Sequence, residues 1–269
     1  MVSPDAPPRT VIEQDGLVAG PGGRLFVKRW TPDGTDRRSG APILLFHDSL
    51  GCVDLWRGFP AALAAATGRR VVAYDRLGFG ASDPHPGSLG LDFVREEADR
   101  IVHPLCEALD IADFVACGHS VGGGMAVETA ARWPERCRAL VTIAAQAFVE
   151  DRTLAGIRVA EEGFRDPGQL ARLAKYHGDK AAWVVNAWIR TWLSPAFADW
   201  SLSAALERIA CPVLALHGDR DEYGSVAHPT RIAAGRGTLR LLADTGHVPH
   251  REREAETVGV IRDFLAASH

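Results

Sequence analysis

Short apolar runs alternate with longer stretches of helical periodicity along most of the chain. Pro42-Ile43-Leu44-Leu45-Phe46, Val71-Val72-Ala73-Tyr74, Phe114-Val115-Ala116-Cys117, residues 139–144, Val213-Leu214-Ala215-Leu216 and residues 239–242 are each four to six positions long and apolar almost throughout. Such runs predict strands buried on both faces, as in a parallel sheet. Between and after them, residues 53–66, 91–109, 125–131, 227–234 and 254–267 carry the spacing of helices. Residues 10–30 predict two further β segments joined at Pro21-Gly22. The alternation predicts an α/β fold, a mostly parallel doubly wound sheet with helices on both faces.

The rhythm stops after Ala145. Residues 146–206 hold no strand-like run but several helical stretches rich in Trp and Phe, among them Phe148, Phe164, Tyr176, Phe197 and Trp200. They read as a helical cap (146–206) inserted into a core made of 1–145 and 207–269. At 269 residues the whole is one compact unit.

Composition narrows the function classes. A net charge of −4 and a pI near 6.2 exclude a broadly basic nucleic-acid or anionic-membrane surface. The densest basic pairs, Arg37-Arg38 and Arg69-Arg70, read as solvated. Five cysteines without close pairs make neither a disulfide framework nor a zinc pattern, so Cys117, Cys137 and Cys211 read as small core residues. The first residues lack the basic and apolar regions of a secretory signal, and no apolar run reaches membrane-spanning length. The expectation is a cytoplasmic protein with no metal or cofactor.

The chemistry concentrates at Gly118-His119-Ser120-Val121-Gly122, a Gly-x-Ser-x-Gly pattern at a predicted strand–helix junction. A bend this sharp lifts a serine hydroxyl above the sheet end, and the two glycines omit side chains where the backbones approach. A serine nucleophile needs a base, and the base an orienting acid. Two later loops at strand ends offer them: His217-Gly218-Asp219-Arg220-Asp221, and Asp244-Thr245-Gly246-His247. The order serine, acid, histidine fits one serine-hydrolase arrangement, with Asp219 or Asp221 as acid and His250 as a rival to His247.

With His47-Asp48-Ser49-Leu50-Gly51 and Asp75-Arg76-Leu77-Gly78-Phe79-Gly80-Ala81-Ser82 added, the chain resembles the α/β-hydrolase fold family over essentially its whole length. The resemblance implies Ser120 as nucleophile, His247 as base and Asp221, three residues after Gly218, as acid. It implies an oxyanion hole from the backbone N–H groups of Val121 and Ser49. The family commonly has His-Gly where this chain has His47-Asp48, so the Asp48 carboxylate is expected to turn outward onto nearby backbone. His47, His119 and His217 are expected to be structural.

Trp188 and Trp192 share a helix face and, with Trp56, are candidate substrate contacts; Trp183 points elsewhere. Arg190 is the one cation considered for an anionic substrate. The implied activity is hydrolysis of a carboxylic ester or lactone. Two alternatives stand beside it. One is carbon–carbon bond hydrolysis on the same machinery, disfavoured by Val248 where such relatives tend to have Trp. The other is a ligand-binding module on the hydrolase scaffold.

Overall fold

The computed structural model describes residues 10–34, 40–235 and 237–268. Eight strands form one sheet in the order β1-β2-β4-β3-β5-β6-β7-β8. They are β1 Val11–Gly20, β2 Gly23–Pro32, β3 Ile43–Phe46, β4 Val71–Tyr74, β5 Phe114–His119, β6 Cys137–Ile143, β7 Val213–Gly218 and β8 Thr238–Leu242. The first two pair as a hairpin, β2 runs antiparallel to β4, and every later pairing is parallel.

Alternate residues of the central strands feed two separate cores. Leu44, Phe46, Val72, Tyr74, Ala116 and Leu140 point to one face; Ile43, Leu45, Val71, Val115, Val141 and Leu214 point to the other. This division is why the runs of β3 to β7 are apolar almost throughout, each face being covered by helices; β8, at the sheet edge, departs from the expectation, with Arg240 and Leu241 exposed. The first face packs against α2 Phe93–Glu96, α3 Val102–Ala108 and α4 Val121–Arg132. The second packs against α1 Phe59–Thr67 and α11 Glu254–Ala267 through Phe59, Leu63, Val258 and Ile261.

Two predicted helices are interrupted. Residues 53–66 form a 3-10 turn at Val53–Trp56 and then α1, because Arg57 adopts φ 54° and Pro60 suits a helix start. The 91–109 helix widens to a π turn at Glu97–Ile101, just before Pro104, which has no N–H to give to the preceding turn.

Residues 146–206 hold α5 Asp151–Gly163, α6 Pro167–His177, α7 Ala181–Trp192 and α8 Ser203–Leu206, lying between β6 and β7. A single bridge, Phe148 to Ser201, joins the two ends of this segment. Three short or terminal helices complete the chain: α9 Ala227–Ile232, α10 Pro249–Glu252 and α11.

Arg69, expected to be solvated, is instead buried. Its guanidinium lies against Gly40, where no side chain intervenes, and Nη1 donates to the Ala41 carbonyl at 3.0 Å. Arg37 and Arg38 lie outside the described residues. Cys117 and Cys137 are buried free thiols and Cys211 is half-buried; burial pushes the Cys117 thiol up to about 12. No helix among the described residues is long and apolar enough to cross a membrane.

Among the buried histidines, burial lowers the pKa of five (His47, His177, His217, His228 and His250) from the ordinary 6.5. Below 6.5 the unfolded chain takes up protons that these folded imidazoles refuse, so stability falls as pH drops. Asp75, pushed up to about 6 by burial, and the raised Glu97 and Glu128 work in the opposite sense, three carboxyls against five imidazoles. Thermal unfolding followed by circular dichroism is expected to show Tm falling steadily from pH 7.5 to 5.5. A Tm that rises over that range contradicts this account.

Candidate active site

Five loops, each leaving the carboxyl end of a parallel strand, converge on one point: 47–51 after β3, Ser120 after β5, 144–150 after β6, 219–225 after β7 and 243–248 after β8. Open parallel sheets place their sites there.

Ser120 sits between β5 and α4 with φ 55° and ψ −127°. That conformation is rare for a residue with a side chain and persists only where its surroundings enforce it. Here they do. A Cβ on Gly118 would overlap the Gly122 carbonyl, and one on Gly122 would overlap the carbonyls of Phe46 and His47. The strand, the first helical turn and the end of β3 are thus in backbone contact.

Ser120 Oγ stands 3.0 Å from His247 Nε2. On the far side of the ring, His247 Nδ1 donates to Asp221, 2.8 Å from Oδ2 and 3.0 Å from Oδ1. Asp221 Oδ1 also accepts from the N–H groups of Tyr223 and Gly224 at 2.7 and 3.0 Å. Burial alone would raise the Asp221 pKa, but the His247 hydrogen bond and the nearby imidazoles hold it below the ordinary carboxylate range. The three residues that the order of motifs singled out are therefore brought together in one hydrogen-bonded chain. With Nδ1 carrying the proton, Nε2 is left as an acceptor for the serine hydroxyl.

Asp219 has a different position: its Oδ1 accepts from Thr245 N at 3.2 Å, bracing the neighbouring loop. His250 is buried against Trp56, Phe59 and His119, with ring centroids 4.7, 5.4 and 4.6 Å away, and has no hydrogen bond to Ser120. The His247 loop is held by Glu252, whose two oxygens accept from Gly246 N at 2.7 Å and Val248 N at 2.9 Å.

Ser49 and Ser120 line the same cavity, of about 350 Å³. The backbone N–H groups of Ser49 and Val121 have no protein acceptor among the described residues. The 47–51 loop is itself anchored. His47 Nε2 accepts from Arg76 N at 3.1 Å, its Nδ1 donates to the Asp48 carbonyl at 2.8 Å, and Arg76 Nη2 donates to that same carbonyl at 2.8 Å.

Asp48 corrects an expectation. Its Oδ1 does accept a local N–H, from Leu50 at 2.9 Å, but the carboxylate does not turn away from the site. It lines the cavity, with Oδ2 3.3 Å from His119 Nδ1. Burial opposes its ionisation, and the hydrogen bond and charge of His119 outweigh burial to hold the carboxyl well below the ordinary range.

The aromatic candidates divide. Trp188 and Trp192 line the cavity, as do Phe164 and Tyr176. Trp56 does not: it is 2 % exposed and stacks on Phe59 with centroids 5.7 Å apart, because its side chain turns into the core beneath the cavity. Phe197 and Trp200 back Trp192, and Trp183 packs on Phe79 and His85. Arg190 lies on a separate outer hollow, whereas Arg172 and Arg251 border the cavity.

Several site residues have no motif that would have found them. Glu150, at the start of the inserted helices, accepts from Ser225 N, Ser225 Oγ and His228 Nε2 at 2.6, 2.9 and 2.9 Å. Arg152 Nη1 donates to the Asp221 carbonyl at 3.0 Å and Thr153 Oγ1 to that of Tyr223 at 2.6 Å. From α6, His177 Nδ1 accepts from Gly80 N at 2.9 Å and its Nε2 donates to the Leu50 carbonyl at 3.0 Å. Gln146, beside Ser120, is the remaining one. No group of three or more His, Cys, Asp or Glu among the described residues is arranged to share a metal ion.

Known proteins align with this architecture. A family model for the alpha/beta hydrolase fold matches residues 41–166. A 2-hydroxymuconate semialdehyde hydrolase from Pseudomonas sp. (strain CF600) is 27% identical, over 86% of this chain and 89% of its own length. A non-heme chloroperoxidase from Streptomyces lividans is 28% identical, over 88% and 92%. Among solved structures, the enol-lactonase from Burkholderia xenovorans LB400 superposes with a TM-score of 0.71 at 23% identity, covering 93% of this chain and all of that one. At that identity the likeness bears on the fold.

The backbone contact around Ser120 makes a direct prediction. Gly118→Ala puts a methyl group onto the Gly122 carbonyl, with no flexible side chain to give way, and is expected to cost about 3 kcal/mol. Urea unfolding of the variant beside the native chain measures this; an unchanged midpoint contradicts the contact.

Proposed function

The chain belongs to the α/β-hydrolase fold family, and from that premise we propose that it is a serine hydrolase of carboxylic esters or lactones. The observation that carries the reading is the unbroken hydrogen-bonded chain from Ser120 Oγ through His247 to Asp221. Ser120 Oγ attacks the carbonyl carbon while His247 Nε2 takes its proton. Asp221, kept ionised, holds the ring and balances the imidazolium. The N–H groups of Val121 and Ser49 receive the oxyanion. His247 then gives its proton to the leaving oxygen. Water, deprotonated by the same ring, releases the acid.

The inserted helices act as a cap in this reading, supplying Trp188, Trp192 and their neighbours as an acyl pocket. The substrate is a small molecule, and five free thiols suit a reducing cytoplasm. A second reading, carbon–carbon hydrolysis of a vinylogous keto acid, draws support from the semialdehyde hydrolase of Pseudomonas. Val248, beside His247, weighs against it.

A fluorophosphonate probe is expected to label Ser120 and to leave Ser120→Ala unlabelled. With p-nitrophenyl esters, Ser120→Ala and Asp221→Asn are each expected to lose about 10⁴-fold in kcat. Full esterase activity in Ser120→Ala would sink the proposal. Ligand affinity without turnover or labelling would point to a binding module instead.

A further inference from the structure

Gln146 is 3 % exposed, follows β6, and lines the cavity with its carboxamide 3.3 Å from Ser120 Oγ through Oε1. Counting protons shows that this contact is not a settled hydrogen bond. The serine hydroxyl has one proton. His247, whose Nδ1 proton goes to Asp221, offers Nε2 as an acceptor at 3.0 Å, nearer than Gln146. The serine proton goes there. Gln146 Nε2 makes no hydrogen bond to protein among the described residues, so an amide donor stands open to the cavity beside the nucleophile.

The tetrahedral intermediate shows what this amide faces. Its carbon carries Ser120 Oγ, the oxyanion, the leaving oxygen and the acyl carbon. The oxyanion is met by the Val121 and Ser49 N–H groups, and the leaving oxygen by the His247 proton. Only the acyl carbon has no polar group assigned to it. The inserted helices turn apolar side chains (Ile157, Phe164, Leu173, Trp188, Trp192) and polar ones (Thr153, Gln169, Arg172, Tyr176) to the cavity, but among the described residues it is Gln146 whose carboxamide touches Ser120 Oγ.

Resting on the serine-hydrolase reading, we infer that Gln146 is a specificity-determining residue that donates to an acceptor oxygen on the carbon next to the scissile carbonyl. The favoured substrates are therefore esters or lactones of 2-alkoxy, 2-hydroxy or 2-oxo acids rather than of plain alkanoic acids. Once Oγ is bonded to the acyl group, such an oxygen lies three bonds from it, within reach of a carboxamide 3.3 Å away. A site that hydrogen-bonds its substrate discriminates against an analogue lacking the acceptor, since the bound acyl group then displaces water from the amide without replacing its hydrogen bond.

The test uses two esters of equal size, p-nitrophenyl methoxyacetate and p-nitrophenyl butyrate, which differ by an ether oxygen in place of a methylene. Their intrinsic reactivities differ, so the quantity read is the ratio of kcat/KM values, compared between the native enzyme and Gln146→Met. The ratio is expected to fall about fivefold to tenfold in the variant, the larger loss falling on the methoxyacetate. Gln146→Leu serves as a second apolar variant should Met not fold. An unchanged ratio overturns the inference while leaving the hydrolase reading intact. Equal losses on both esters also overturn it, because Gln146 then acts through Ser120 itself. If the native enzyme hydrolyses neither ester and Ser120 resists the fluorophosphonate, the hydrolase reading falls and takes the inference with it.

Discussion

The close crossing of β5, α4 and the end of β3 is the constraint on which the rest of the site depends. Gly118 and Gly122 carry no side chains, and without that absence neither the sharp turn nor the seating of α4 on β3 is possible. One consequence is conformational: Ser120 is held at φ 55°, with its hydroxyl raised toward the carboxyl ends of the strands. The other is positional. Gly122 touches the carbonyls of Phe46 and His47, so the first turn of α4 is set directly against the start of the 47–51 loop. The free amides of Val121 and Ser49 come from those two segments. In the proposed reaction, the same backbone contact positions both the attacking atom and the donors for the charge it creates.

The inserted helices do more than cover this arrangement. Glu150, Arg152 and Thr153 hold the 221–225 loop through four hydrogen bonds to its backbone and Ser225 side chain, and His177 ties α6 to Leu50 and Gly80. The 221–225 and 47–51 loops are therefore both restrained from these helices. His177 and His228 each accept an N–H at Nδ1 and donate at Nε2, a pattern that only a neutral imidazole satisfies. Burial favours the same neutral form.

Much of this architecture is legible in the sequence alone. The strand runs were apolar because both sheet faces are covered, and Ser120, Asp221 and His247 each belonged to a short pattern at a strand end. What escaped prediction lacks such local marks. Trp56 and Trp192 are both buried tryptophans, and composition does not say which one turns to a cavity and which into the core. Glu150 meets Ser225, and His177 meets Gly80, across 75 and 97 positions of sequence. No spacing rule joins residues so far apart. Asp48 was marked as unusual by its place in the loop, but its resolution depended on His119 being near, a fact of tertiary packing.

That resolution bears on how two carboxylates coexist beside a developing oxyanion. Asp221 and Asp48 each face a histidine, His247 and His119, and the two rings lie 5.0 Å apart between centroids. Only His247 reaches Ser120. His119 sits between Asp48 Oδ2 at 3.3 Å and the His247 carbonyl at 2.7 Å. Its bond to the His247 carbonyl also fixes the main chain of the base. Asp48 is thus joined to the His247 main chain through His119, while Asp221 meets the His247 ring.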